Sequence, residues 1–145
     1  MQVDFYHLTR DPADKLVPML ASKSLDVGKR LLLLAQDESR RSALSDALWS
    51  TDPASFLAHD FAGSGREAEQ PILISDQCAA ANGASYIILS DGLWRDGALD
   101  FERAFFLFVP DQIDHARTVW RELKAREEVT PRYWKQYGGR WVEGP

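Results

Sequence analysis

Three cationic side chains near the end of the chain recur at the spacing of one helix face. Arg117, Arg121 and Lys124 are separated by four and then by three residues, so a helix would align them in one stripe. Trp120 borders this stripe and the adjoining apolar face. A ring beside guanidinium groups could bind a chain terminus, because the ring can take an apolar side chain while the arginines bind the carboxylate. The alternative is a solvated face with Trp120 in the core.

Motifs for catalysis, cofactors and metals are incomplete. Gly63-Ser64-Gly65 has the composition of a phosphate loop, but no Gly-Lys-Ser/Thr follows, and a proline and a strand come next. No Gly-x-Ser-x-Gly elbow is present, and His59 is expected to be a hydrogen-bonded, partly buried histidine. The three histidines lack ligand-like spacing, and the single Cys78 cannot build a disulfide or a metal cluster. We expect no catalytic residue, no cofactor and no metal.

The elements that must position the cationic stripe are those of an α/β fold. Unbroken apolar runs are typical of strands covered on both faces, as in a parallel sheet. Strands are predicted at residues 3–8, 31–35, 72–75, 86–89 and 105–109. They alternate with helices early in the chain, so we predict a single three-layer α/β domain over residues 1–145, with a mainly parallel central sheet and flanking helices.

Three helices and a final hairpin complete the predicted fold. Helices are expected at about residues 12–26, 38–49 and 111–127, with Pro18 kinking the first or delaying its start. The third helix carries the cationic stripe. Gly138-Gly139 separates two short strand-like segments, which predicts a C-terminal hairpin.

The segment at residues 47–63 concentrates aromatic side chains in an irregular stretch. It contains Trp49 and Phe56 and is broken by Asp52-Pro53, so one regular element is not expected. Such rings either buttress the core beneath their own loop or line a surface pocket, since exposed aromatics often mark binding sites. The sequence leaves both interpretations open.

Composition and charge restrict the possible partners. The net charge of −5 is uneven: residues 1–114 carry 10 Lys and Arg against 18 Asp and Glu, whereas residues 115–145 carry 7 against 4. An acidic body is unsuited to phosphate backbones, so we expect little direct DNA binding. No run approaches the length of a membrane span, and no signal pattern is seen at the N-terminus, which predicts a cytoplasmic protein with no membrane contact.

Several motifs together resemble the chi subunit family of bacterial DNA polymerase III. They are FYHLTRDP at residues 5–12, GKRLLLLAQDE at residues 28–38, DALWSTDPASFLAHDFAGSG at residues 46–65, FERAFFLF at residues 101–108 and the closing YW…GGRW at residues 133–141. The resemblance covers nearly the whole chain. Its most specific part is the ALW…SF…H core within residues 47–59.

This resemblance implies a Rossmann-like fold without a phosphate-binding loop and a non-catalytic accessory subunit of the clamp-loader complex. It implies two partners: the acidic C-terminal tail of single-strand DNA-binding protein, which ends in Pro-Phe, and the psi subunit or an equivalent clamp-loader subunit. The tail-binding residues that it implies are Trp49, Phe56, Val109, Arg117, Trp120 and Arg121. Lys124 and Arg126 would steer the acidic residues of the tail by long-range attraction.

Two other functions remain open from the sequence. The first is a nucleotide- or small-molecule-binding α/β enzyme whose motif is not visible. The second is a purely structural subunit whose only role is to cap psi.

Overall fold

The computed structural model describes residues 1–50 and 57–144, which form an eight-stranded sheet with helices on both faces. The strands are β1 Gln2–His7, β2 Leu31–Leu34, β3 His59–Phe61, β4 Ile72–Ser75, β5 Tyr86–Leu89, β6 Arg103–Phe108, β7 Thr130–Tyr137 and β8 Arg140–Gly144. Their spatial order is β3-β4-β2-β5-β6-β1-β7-β8. Every neighbouring pair is parallel except β7 and β8, which confirms the mainly parallel sheet and the C-terminal hairpin.

The central strands are buried on both faces, as their unbroken apolar sequence predicts. Leu31–Leu34 are fully buried, and alternate residues of this strand belong to two separate hydrophobic clusters. One cluster also contains Leu16 and Leu44, and the other contains Val119. The sheet therefore separates two cores.

Three helices cover these cores and make the predicted three layers. Helix α1 spans Ala13–Asp26, α2 spans Glu38–Ser50 and α3 spans Ile113–Lys124. Helices α1 and α2 pack on one face of the sheet, and α3 packs on the other. Pro18 lies inside α1, so the helix start is not delayed to that residue.

Two features of the sheet differ from the prediction. The short edge strand β3, with the sequence His-Asp-Phe, was not predicted, because three residues of mixed polarity carry no strand pattern. Strand β7 is eight residues long and pairs with β1 in parallel, besides forming the hairpin with β8. This long-range pairing extends the sheet beside β1, and it positions Tyr133 near α3.

Candidate functional site

A groove lies between α3 and the sheet, and it contains two of the predicted tail-binding residues. Its volume is about 290 Å³. Seven side chains from three strands and the first two turns of α3 line it, and all but that of Arg117 are apolar or aromatic: Phe5, Phe108, Ile113, Ala116, Arg117, Trp120 and Tyr133. We call this the α3 groove. It joins Arg117 and Trp120 in one concave site, as their helical spacing suggested.

Trp120 belongs partly to the core and partly to the groove. Its ring packs edge-on against Phe5, with centroids 5.1 Å apart, and against Tyr133 at 6.3 Å. The side chain is only half-buried, and the Lys124 ammonium lies 5.8 Å from the ring centroid. Trp120 is therefore both a core residue and part of a binding surface, since its ring packs on the core and also forms a wall of the groove.

Arg117 lies at the rim of the α3 groove with most of its side chain in solvent. Its side chain is 67% exposed, and its nearest carboxylate is that of Asp114, 3.9 Å away and almost fully exposed. An exposed pair of this kind contributes little stability. The guanidinium can therefore exchange this partner for the carboxylate of a ligand at small cost.

The remaining cations of this region surround the groove without lining it. Arg121 is exposed and its Nη2 lies 3.4 Å from the Thr118 hydroxyl. Lys124 is exposed on the last turn of α3, and Arg126 pairs with Glu128 at 3.3 Å. These side chains form a basic surface beside the groove, on a protein whose net charge is −5.

His7 is a neighbour of the α3 groove that sequence reasoning missed. Its Nδ1 is hydrogen-bonded to the Tyr133 hydroxyl at 2.8 Å, and its ring stacks on Phe108 with centroids 4.9 Å apart. Its Nε2 is buried and has no hydrogen-bond partner among the described residues. Burial, with the positive charges of Arg117 and Lys135, lowers the pKa of His7 below its ordinary value of 6.5. The sequence contained one indication that His7 could lie near a binding site. It is at the carboxyl end of a strand, and ligands of α/β folds bind at the carboxyl ends of parallel strands.

The lowered pKa of His7 gives a testable pH dependence. Because the unfolded chain takes up this proton near pH 6.5 and the folded protein only at lower pH, His7 should reduce stability as the pH falls below about 6.5. An NMR titration of the imidazole C–H signals should give a pKa below 6.5 for His7. A value at or above 6.5 would show that the charges of Arg117 and Lys135 and the burial do not act on this ring as described.

The structure does not bring Trp49 into the α3 groove. Trp49 is the next-to-last residue of α2, with 51% of its surface exposed, and its ring centroid lies 4.3 Å from that of His59 on β3. Strand β3 is five positions from β1 in the sheet, which corresponds to about 24 Å at the usual strand spacing. The described residues therefore give no single pocket that contains both Trp49 and Trp120.

Val109, another predicted tail-binding residue, is also outside the lining of the α3 groove. Val109 follows β6, is 40% exposed, and its N–H donates to the Gln112 side chain at 3.0 Å. Phe56 lies outside the described residues. Their role in tail binding stays a prediction.

A second exposed surface surrounds Trp49 at the outer edge of the sheet. Strand β3 ends the sheet, so the backbone groups on its outer side have no strand partner among the described residues. Phe61 on the same strand is 37% exposed. We call Trp49 and Phe61, with the outer edge of this strand, the β3 edge. His59 is not a free base here: it is buried and bonded to Ser45 and to the carbonyl of Leu57, both at 2.8 Å.

The glycine loop does not offer its amides to a phosphate. The N–H groups of Gly63 and Gly65 donate to the Glu67 carboxylate at 2.7 and 3.1 Å. These backbone hydrogen bonds, together with that of Glu67 itself, lower the pKa of the carboxyl group. A negative side chain thus occupies the place that a phosphate would need, which agrees with the incomplete motif.

Two further observations concern metal ligands and the single thiol. Within residues 1–50 and 57–144, no three His, Cys, Asp or Glu side chains are grouped to hold a metal ion. Burial raises the pKa of the Cys78 thiol, which favours the unreactive protonated form. Among the described helices, none is both long and apolar enough to cross a membrane.

Comparison with known proteins places most of the chain in one family. The family model described as "DNA polymerase III chi subunit, HolC" matches residues 1–130. The DNA polymerase III subunit chi of Escherichia coli (strain K12) is 30% identical over 92 residues, which are 63% of this chain. The chain spans 60% of the length of that relative. The family match includes α3 but ends at the first residue of β7, so most of the hairpin lies beyond it.

Proposed function

The chain belongs to the DNA polymerase III chi subunit family, and we propose that it is a non-catalytic accessory subunit of the replicative polymerase. In this proposal it binds the acidic C-terminal tail of single-strand DNA-binding protein and links that protein to the clamp loader through psi or an equivalent subunit. The observation that carries the tail assignment is the α3 groove, an aromatic cavity with an accessible guanidinium at its rim.

The chemistry of the α3 groove suits a tail that ends in Pro-Phe. A Phe ring of the tail would pack against Phe5, Trp120 and Tyr133, and burial of such a ring contributes about 1.5–3 kcal/mol. The terminal carboxylate would bind Arg117 through charge-assisted hydrogen bonds that contribute about 1.5–3 kcal/mol. Together they correspond to a dissociation constant between roughly millimolar and tens of micromolar, so both contacts are required.

The basic surface beside the groove would supply the rest of the affinity. Arg121, Lys124 and Arg126 are exposed around the C-terminal half of α3 and just beyond it. They would attract the acidic residues that precede Pro-Phe and increase the rate of association. Because exposed charges are screened by ions, tail affinity should fall as the salt concentration rises.

We assign the second partner, psi or its equivalent, to the β3 edge. This edge combines a strand side that has no strand partner among the described residues with the exposed rings of Trp49 and Phe61, which are features of a protein–protein contact. Its distance from the α3 groove would let both partners bind at once. An adaptor between a DNA-coating protein and a clamp loader needs two such separate surfaces.

The indole N–H signals of ¹⁵N-labelled protein can test both assignments. The α3 groove and the β3 edge contain different tryptophans, Trp120 and Trp49, and single Trp→Phe variants would assign the signals. A tail peptide ending in Pro-Phe should shift the Trp120 signal and leave that of Trp49 unchanged, whereas psi or its equivalent should shift Trp49 and not Trp120. If the tail peptide shifts both signals equally at low occupancy, the single pocket implied by the family resemblance is right and the two-surface assignment is wrong. If it shifts neither, the tail does not bind here.

A further inference from the structure

A larger cleft lies on the face of the sheet opposite the α3 groove. It is bounded by α1 on one side and by the hairpin of β7 and β8 on the other, and its volume is about 740 Å³. Five aromatic and four basic side chains contribute to its lining: Tyr6, Tyr86, Phe105, Trp134, Trp141, Lys23, Lys29, Arg103 and Arg140. We call it the hairpin cleft. Neither the tail nor psi is assigned to it.

The floor of the hairpin cleft is a continuous set of aromatic rings. Tyr6 is stacked on Trp134 with centroids 6.1 Å apart, and it meets Trp141 edge-on at 5.1 Å. Phe105 continues the set at 6.3 Å from Tyr6 and 6.0 Å from Tyr86. Trp134, Trp141 and Tyr86 are only partly buried, so ring surface remains available to a ligand.

A buried carboxylate holds two functional groups of this cleft in fixed positions. Asp4 is fully buried and accepts hydrogen bonds from Arg103 Nε at 2.7 Å, from Trp134 Nε1 at 3.1 Å and from Gln2 Nε2 at 3.0 Å. The Arg103 guanidinium also lies 4.9 Å from the centroid of the Phe105 ring. A guanidinium and an indole are thus oriented by one side chain beneath the floor, as in a site that is organised before its ligand binds.

The charge of the hairpin cleft is opposite to that of the whole protein. Its lining includes four basic residues and no Asp or Glu. Arg103 is paired with Asp4, and Lys29 with Glu102 at 3.1 Å. Lys23 on α1 and Arg140 on β8 have no ion-pair partner among residues 1–50 and 57–144, so each wall of the cleft contributes one unpaired cation. An anionic ligand would be attracted to this cleft, although the protein as a whole carries a net charge of −5.

We propose that the hairpin cleft binds a nucleotide. The base would stack on the exposed indole and phenol surfaces, which suit any base because every base has a flat aromatic face. The phosphate would bind between Lys23 and Arg140, with the oriented guanidinium of Arg103 beside it. A volume of about 740 Å³ is within the usual range for small-molecule sites. The cleft begins at the amino ends of β5 and β6, the end opposite to the usual nucleotide sites of α/β folds.

The binding test uses the indole signals of Trp134 and Trp141 in the full chain. The probe is dAMP, with deoxyadenosine and inorganic phosphate as its two fragments and single-stranded octadeoxyadenylate as the polymeric source of the same unit. Addition of dAMP should shift both signals with a dissociation constant below about 1 mM and leave Trp120 and Trp49 unchanged, and each fragment alone should bind at least tenfold more weakly. Tighter binding of the octamer than of dAMP would identify a single strand as the source of the nucleotide, and equal binding would identify the free form.

Two charge reversals on the walls and one matched control make the test specific. Lys23→Glu and Arg140→Glu should each weaken dAMP binding at least tenfold, because each removes one unpaired cation without touching Asp4. Arg121→Glu makes the same change on the opposite face, and it should leave dAMP binding unaltered. The proposal is overturned if neither dAMP nor the octamer shifts the Trp134 and Trp141 signals at millimolar concentration, or if both wall variants bind as the wild type does. It is also overturned if the acidic tail peptide shifts the Trp134 signal and displaces the nucleotide, since the cleft would then be a peptide site.

Discussion

Replacing Asp4 with alanine should lower the free energy of unfolding by about 3 kcal/mol, the lower end of the range measured when one partner of a buried ion pair is removed, because the Arg103 side chain is 33% exposed. Asp4 is fully buried and receives hydrogen bonds from Arg103, Trp134 and Gln2. The alanine variant leaves the guanidinium and the indole N–H beside an empty space, and both lose their acceptor.

Urea denaturation of the wild type and of Asp4→Ala would measure this loss. The matched control is Asp46→Ala, because Asp46 is an exposed aspartate on α2 and its replacement should change stability by no more than about 0.5 kcal/mol. The loss of unfolding free energy in the double variant Asp4→Ala with Arg103→Ala should be smaller than the sum of the losses in the two single variants, since each single change leaves one charged group without its counter-ion. A loss below about 1 kcal/mol for Asp4→Ala would show that solvent or a shifted side chain replaces the carboxylate.

The parts of the fold that were predictable from the sequence are those set by local pattern. Strands β4 and β5 were predicted with the observed bounds, because turn residues on both sides of a short apolar run mark where the strand begins and ends. Helix α1 ends at Asp26, as the following Gly28 suggested. The end of α3 was placed three residues too late, since the acidic residues after Lys124 do not mark a stop.

The parts that were not predictable depend on contacts between distant residues. The pairing of β7 with β1 brings Tyr133 within 2.8 Å of His7, across 126 positions of sequence, and no local pattern encodes it. The role of Asp4 was also not predictable. In the sequence it is an ordinary polar residue in a strand, but in the structure it accepts hydrogen bonds from Arg103 and Trp134. The proximity of Arg117 and Trp120 was predictable because residues three apart in a helix lie on neighbouring positions of its surface. The separation of Trp49 from them depends on the order of strands in the sheet, which no local pattern determines.

Replacing Arg117 with alanine should weaken binding of the tail peptide about tenfold or more and leave the fold intact. The side chain is 67% exposed, so its loss removes little packing, and its exposed pair with Asp114 contributes little stability. The expected loss reflects a charge-assisted contact with the terminal carboxylate, which contributes about 1.5–3 kcal/mol where it is partly shielded from water. Trp120→Ala would be a poorer test, because Trp120 also packs on Phe5 and its removal would disturb the core.

Calorimetry with two peptides and two proteins isolates this contact. The wild type and Arg117→Ala are each titrated with the Pro-Phe tail peptide and with the same peptide amidated at its C-terminus. Amidation should weaken binding to the wild type about tenfold and have little further effect on Arg117→Ala, because the contact that it removes is already absent there. Arg66→Ala is the matched control, since Arg66 is an exposed arginine in the loop before β4 and its loss should leave tail affinity unchanged. Equal affinities in all four combinations would mean that Arg117 does not bind the carboxylate, and the tail site would then have to be sought outside the α3 groove.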